Sequence, residues 1–179
     1  KVRKNRNLHR KNRKLSQLPT VSLVGYTNSG KSTLLNLLTN ANVLTADRLF
    51  ATLDPTVRRL DLSSRNAILL SDTVGFIQKL PTNLIAAFRA TLEEISDADL
   101  LLHIIDINHN NSIAQYRSVI NTLNEIGAGK IPILTVLNKI DKNENHIAIK
   151  NAYPEFANGI SISALKNLGI DELLTKIDN

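Results

Sequence analysis

The chain has 179 residues, 42% of them hydrophobic, and a formal net charge of +6, which suits one domain with a sizeable core and leaves little room for two. No apolar stretch approaches the roughly 18 residues that span a bilayer, and no hydrophobic segment follows the basic opening in the manner of a signal peptide, so a cytoplasmic chain without membrane insertion is expected. Cysteine is absent, which excludes disulfides and thiolate chemistry, and His103, His109 and His146 lack zinc spacing and read as structural or solvated side chains.

Residues 1–18 hold most of the charge: eight of the 22 Lys/Arg lie between Lys1 and Lys14 with no acid among them, leaving 14 basic against 16 acidic residues elsewhere. Val2, Leu8, Leu15 and Leu18 form a thin apolar stripe before Pro19, as in a short helix. Such an arm suits either a solvated linker helix from a further domain or a contact for a polyphosphate such as RNA. The chain has no methionine, so Lys1 is not an encoded start and a longer parent chain is expected.

Val21, Leu23 and Val24 form an apolar run that ends at Gly25-Tyr26-Thr27-Asn28-Ser29-Gly30-Lys31-Ser32-Thr33, after which Leu34, Leu35, Leu37 and Leu38 recur at helical spacing. Gly, four residues, Gly-Lys-Ser between a strand and a helix is the pattern that wraps nucleotide phosphates. Glycine admits close approach of the backbone, the N–H groups opening the helix cradle the anion, Lys31 would reach the terminal phosphates, and the Ser32 hydroxyl would ligate Mg2+.

Asn42 to Thr56 has little periodicity and reads as a loop in which Thr45, Thr52 and Thr56 compete as sensors of Mg2+ and the terminal phosphate. Arg48, Arg58 and Arg59 around it read as solvated charges. Val57 to Leu62 and Ala67 to Leu70 read as paired strands joined by Ser63-Ser64-Arg65-Asn66, the second leading into Asp72-Thr73-Val74-Gly75. A helix fits from Thr82, with Leu84, Phe88, Leu92 and Ile95 on one stripe and Glu93 and Glu94 on a solvated face. The remainder alternates: strand Leu100 to Ile107, helix Ser112 to Ile126, strand Ile131 to Leu137, helix His146 to Ala152, strand Ile160 to Ile162 and helix Ile170 to Ile177. Strands separated by helices predict a mostly parallel α/β sheet covered on both faces.

Ligands of such sheets bind outside the carboxyl ends of the strands, and four residue sets fall there. Besides the phosphate loop, Asp72 could hold Mg2+ through water and the Gly75 N–H could meet a terminal phosphate. In Asn138-Lys139-Ile140-Asp141, the Asp141 carboxylate can accept both Watson-Crick-edge N–H donors of guanine, which adenine cannot match. Asn138 can tie that loop to the phosphate loop, and the Lys139 stem can cover a base. Ser163-Ala164-Leu165 could offer a backbone N–H to guanine O6.

The stretches LPTVSLVGYTNSGKSTLLN, LFATLDPTVRRL, DTVGFIQKLP, AFRATLEEISDADLLLH and NKID resemble the GTPase domain of the HflX family, in the Obg-HflX group of translation-factor-class P-loop GTPases. The resemblance implies a Ras-like fold of six strands with an antiparallel second strand, and Mg2+-dependent hydrolysis of GTP to GDP. It also implies association with the ribosome, chiefly its large subunit and rRNA. The GTPase domain is expected to span residues 19–179 and to act as a monomer. Residues 1–18 would then close a helical region leading from an N-terminal domain. The match to FATLDP picks Thr52 as the switch-loop ligand of Mg2+, with Phe50, Ala51, Leu53 and Asp54 around the nucleotide.

Where Ras-like enzymes place a water-orienting glutamine, this chain has Phe76. The resemblance implies that hydrolysis nevertheless proceeds, slowly, with water held by backbone groups or a partner. Asn28 resembles the asparagine of potassium-activated GTPases, whose carbonyl ligates K+, although asparagine also simply tolerates the turn conformation at that position. Two other classes fit parts of the pattern: a P-loop kinase or ATPase, which the Asn138–Asp141 set argues against, and an RNA-binding module that uses nucleotide only for stability.

Overall fold

A strand that is apolar on both faces belongs in the middle of a sheet, and Thr20–Val24 (β1) is buried at every position. The computed structural model describes residues 18–39, 56–64, 67–72 and 95–179. Within them β1 is followed by helix Lys31–Thr39 (α1) and strands Thr56–Asp61 (β2), Ala67–Asp72 (β3) and Leu100–Asp106 (β4). Helix Ser112–Glu125 (α2), strand Ile133–Asn138 (β5), helix His146–Ala152 (α3), strand Ile160–Ser161 (β6) and helix Ile170–Asp178 (α4) complete the order.

The six strands form one sheet in the order β2-β3-β1-β4-β5-β6. The short turn after β2 can only return the chain beside itself, so β2 and β3 are antiparallel, with Thr56 opposite Asp72 and Asp61 opposite Ala67. The other described pairings are parallel, because each crosses over through a longer connection.

Alternation along the strands separates the two faces. Val21 and Leu23 of β1, Leu102 and Ile104 of β4 and Val136 of β5 point to one face, where Leu34 and Leu35 of α1 and Leu173 of α4 cover them. Val24 and Leu101 point to the other, under Val119 and Leu123 of α2 and the buried Ile95. A third cluster sits toward the carboxyl ends of β4 and β5, where Ile105 and Leu137 surround Phe156. Burial of such a side chain stabilises by about 1.5–3 kcal/mol, and Phe156 anchors the 3-10 turn Pro154–Phe156.

Alternating strands and helices predict this architecture, and the differences are local. β5 begins at Ile133 because the Ile131 N–H is taken by the Ala128 carbonyl and Pro132 has no N–H to give. β4 ends at Asp106, and the 3-10 turns Ile140–Lys142 and Pro154–Phe156 have no apolar periodicity to announce them. Arg58 and Arg59 are exposed, Arg59 pairing with Asp61 at 2.9 Å. The arm helix expected before Leu18, the switch loop with Thr45 and Arg48, and the helix expected from Thr82 through Glu93 and Glu94 lie outside the described residues. Among the described residues no helix is long and apolar enough to cross a membrane.

The sheet also buries polar side chains, Ser22, Ser71 and His103 among them. His103 of β4 is 1% exposed, stacks on Tyr116 at 5.0 Å, and has its pKa pushed down to about 3 by burial and, secondarily, by the charge of Lys31. It is therefore neutral in the fold, whereas the unfolded chain protonates it below about 6.5. The stability tied to it is intact above that pH and is lost as pH falls toward 3, at about 1.4 kcal/mol per pH unit for one proton. His103→Phe, which keeps a ring against Tyr116, should remove one proton's worth of slope from urea-unfolding free energies measured between pH 6 and 4. Equal slopes in the two proteins would contradict a buried neutral imidazole.

Candidate functional site

The phosphate-loop sequence runs from the end of β1 to the start of α1, pressed against the sheet. A Cβ on Gly25 would meet the Ile104 carbonyl oxygen at 2.3 Å, and one on Gly30, whose φ is +100°, would meet Asn138 Nδ2 at 2.2 Å. Both positions therefore need glycine. Lys31 is 6% exposed, and its ammonium donates to the Gly25 carbonyl at 3.2 Å and the Tyr26 carbonyl at 3.0 Å, so the loop encircles it. Burial lowers its pKa from 10.5 to about 8, against the opposing pull of Asp72.

A buried ammonium held by neutral carbonyls is short of negative charge, and a phosphate at the opening of α1 would supply it, so these residues fit a polyphosphate. The Ser32 hydroxyl donates to Asp72 Oδ2 at 2.7 Å, bringing the start of α1 to the end of β3. That hydroxyl and carboxylate form an all-oxygen donor pair, the chemistry a hard cation such as Mg2+ takes when phosphates complete its shell. Among the described residues no group of three or more His, Cys, Asp and Glu could hold a metal by itself.

The base-side loop is joined to the phosphate loop through Asn138, the last residue of β5, which is 2% exposed. Its amide donates to the Ser29 carbonyl at 2.9 Å, while its Oδ1 accepts from the Lys139 N–H at 2.8 Å and the Ala164 N–H at 3.0 Å. Three loops thus meet on one carboxamide. Asp141 is exposed, with Oδ1 accepting from the Ser163 hydroxyl at 2.6 Å. Ser163 in turn accepts from the Lys166 N–H, which leaves the outer edge of the Asp141 carboxylate toward solvent. Because Ala164 N–H is spent on Asn138, the backbone donor of Ser163-Ala164-Leu165 without a bond among the described residues is that of Leu165, whose side chain is 70% exposed.

Of the residues singled out from the sequence, the structure brings together Gly25, Tyr26, Thr27, Asn28, Ser29, Gly30, Lys31, Ser32, Thr33, Asp72, Asn138, Lys139, Ile140, Asp141, Ser163, Ala164 and Leu165 at the carboxyl ends of β1, β3, β5 and β6. Phe50, Ala51, Thr52, Leu53, Asp54, Thr73, Val74, Gly75 and Phe76 lie outside the described residues. Sequence reasoning missed the end of β4. Asp106, opposite Asn138 in register, pairs with the Lys139 ammonium at 2.7 Å, and the Asn108 amide donates to the Lys139 carbonyl at 2.7 Å. Taking that strand on to Ile107 hides Asp106 inside it, although a carboxylate closing an apolar strand is the signal that marks Asp72.

A phosphate loop between β1 and α1, a carboxylate at the end of β3 and a polar base-side loop after β5, on a sheet with its edge strand reversed, define a Ras-like P-loop GTPase domain. The chain belongs to the 50S ribosome-binding GTPase family, whose model matches residues 20–139. It is similar to the GTPase HflX of Caldanaerobacter subterraneus, 48% identical over 99% of this chain and 40% of that protein. The GTPase HflX of Magnetococcus marinus is likewise 48% identical over 98% of this chain and 40% of its own length. The chain thus spans about 40% of the length of these relatives. A solved structure of a GTP-binding protein from the archaeon Sulfolobus solfataricus in complex with GDP superposes with a TM-score of 0.71 at 33% identity, covering 98% of this chain and 56% of that one.

The lowered pKa of Lys31 means that carrying its charge costs the nucleotide-free fold stability, a cost absent above about pH 10.5 and fully present below about 8. Lys31→Met should therefore raise the neutral-pH melting temperature of the nucleotide-free chain while weakening GTP binding roughly tenfold to a hundredfold. Thermal melts and titration calorimetry check the two halves, and unchanged affinity would remove Lys31 from the phosphate site.

Proposed function

We propose that the chain is a Mg2+-dependent, GTP-hydrolysing switch whose nucleotide state governs association with the large ribosomal subunit and its rRNA. Residues 19–179 are the GTPase unit, acting as a cytoplasmic monomer, and residues 1–18 are a basic helix that links to a further domain. The observation that carries the reading is the Asp141 carboxylate braced by Ser163 at 2.6 Å, on a loop that Asn138 ties to the phosphate loop at 2.9 Å. A braced carboxylate with an open edge can accept two parallel N–H bonds from guanine, and the Leu165 N–H can answer O6. Against adenine the same carboxylate would face no such donor pair. The family's description supports the ribosomal partner.

In this mechanism the loop N–H groups and Lys31 bind the phosphates and stabilise the charge that develops on the transferred group. When bound, Mg2+ neutralises phosphate charge. The Ser32 hydroxyl would hold the cation directly and the Asp72 carboxylate would hold it through water. Thr52 and the Gly75 N–H are assigned by the family pattern to close over the terminal phosphate and relax after its loss, an order-disorder switch. Phe76 cannot orient water by a hydrogen bond, so intrinsic turnover is slow and depends on backbone groups or a partner.

Asp141→Asn should exchange GTP preference for xanthosine triphosphate, because xanthine presents a carbonyl where guanine has its amine and the new amide can donate to it. Retained GTP preference in competition binding would remove Asp141 as base reader. Asn28, exposed on the lip of the loop with φ 64°, is assigned as a ligand of an activating K+. Hydrolysis should then run faster in KCl than in NaCl at equal ionic strength, and Asn28→Ala should abolish the difference. Equal rates in the two salts would leave Asn28 with its turn role alone.

A further inference from the structure

Lys139 is held in a conformation it would not choose. Its φ of 69° and ψ of 32° are left-handed, which costs a residue other than glycine on the order of 1 kcal/mol, and bonds at both of its ends hold it there. At the backbone, its N–H donates to Asn138 Oδ1 and its carbonyl accepts from Asn108 Nδ2. At the tip, its ammonium donates to the Asn28 carbonyl of the phosphate loop at 2.7 Å and to Asp106 Oδ2 at 2.7 Å. Asp106 serves both ends, because its Oδ1 accepts from the Asn108 N–H at 3.1 Å and so shapes the turn that presents Asn108 to the Lys139 carbonyl.

The geometry points to Asp106 as a positioning residue for the guanine nucleotide, acting through Lys139; this rests on the nucleotide reading above. A lysine stem carries about 2 kcal/mol of rotamer entropy, and an ammonium offered only the neutral Asn28 carbonyl would sample many of those rotamers. The Asp106 carboxylate supplies the missing charge. The pair's side chains are 24% and 19% exposed, so solvent screens it less than a surface pair. With the tip fixed, the apolar stem is fixed between the phosphate loop and the base-side loop, ready to pack on a base as it binds. Asp106 thereby prepays ordering that the nucleotide would otherwise have to impose. It need touch neither base nor phosphate.

Asp106→Asn keeps an Oδ1 acceptor for Asn108 and replaces the charged Oδ2 acceptor that faces the Lys139 ammonium with an uncharged amide donor. In stopped-flow displacement of a fluorescent GDP, this variant should release nucleotide about tenfold faster, with the melting temperature of the nucleotide-free chain little changed. In a Lys139→Met background the same substitution should alter release by less than about twofold, since there is no ammonium left for it to act through. Three results would overturn the proposal: unchanged release in Asp106→Asn, equal acceleration in both backgrounds, or a loss of melting temperature that accounts for the acceleration. Failure of the unsubstituted chain to bind the fluorescent GDP would overturn it together with the nucleotide reading, and is read separately from the variants.

Discussion

The carboxamide of Asn138 is the contact on which the site depends. One buried side chain accepts from the Lys139 and Ala164 N–H groups and donates to the Ser29 carbonyl, so the positions of three loops are solved by a single planar group. Inside a protein an unpaired polar group costs about 1–3 kcal/mol. Loss of the amide would strand two donors and an acceptor together, and for that reason the loops have no cheap independent movement. The same amide dictates its neighbour: Gly30 must lack a side chain because Nδ2 occupies that space. Sheet register delivers it, since β5 ends one strand away from the β1 terminus and Asp106 opposes Asn138 between them.

Placing function at this edge costs stability beneath it. Lys31 is buried with a lowered pKa, and its charge in turn helps hold His103 neutral. The Lys31 ammonium and a core imidazole are thus electrostatically coupled across β1 and β4, in a part of the sheet where helices on both faces keep water out. The burial cost of the Lys31 charge is offset only in part by Asp72, and the surrounding apolar clusters must outweigh the remainder. The three clusters meet the need by packing both faces of the sheet, with Phe156 closing the end nearest the base-side loop.

Much of this was legible in the sequence, for identifiable reasons. Val21 to Val24 before Gly25 and the leucines after Ser32 gave the strand, loop and helix by period alone, and the polar turn after Leu62 gave the reversed pair. Asn138 and Asp141 stood out because polar residues directly follow an apolar run. Asp106 was passed over because the apolar Ile107 after it carries the strand one residue too far and places the carboxylate inside it; the register with Asn138 puts it at the strand's end. The spending of Ala164 N–H on Asn138 was likewise invisible, because sequence spacing cannot say which of three consecutive N–H groups a distant carbonyl has taken. Phe156 was missed because a lone aromatic after proline has no periodicity.

The central claim is that the carboxyl edge of this sheet selects a guanine nucleotide through a carboxylate braced beside a phosphate loop. Titration calorimetry of the chain with GDP and with ADP, in Mg2+ at one ionic strength, tests it most directly. The account predicts saturable GDP binding and an affinity for ADP weaker by at least about a hundredfold. Equal affinities for the two nucleotides would contradict it, because the phosphate loop would then be binding without any contribution from Asp141.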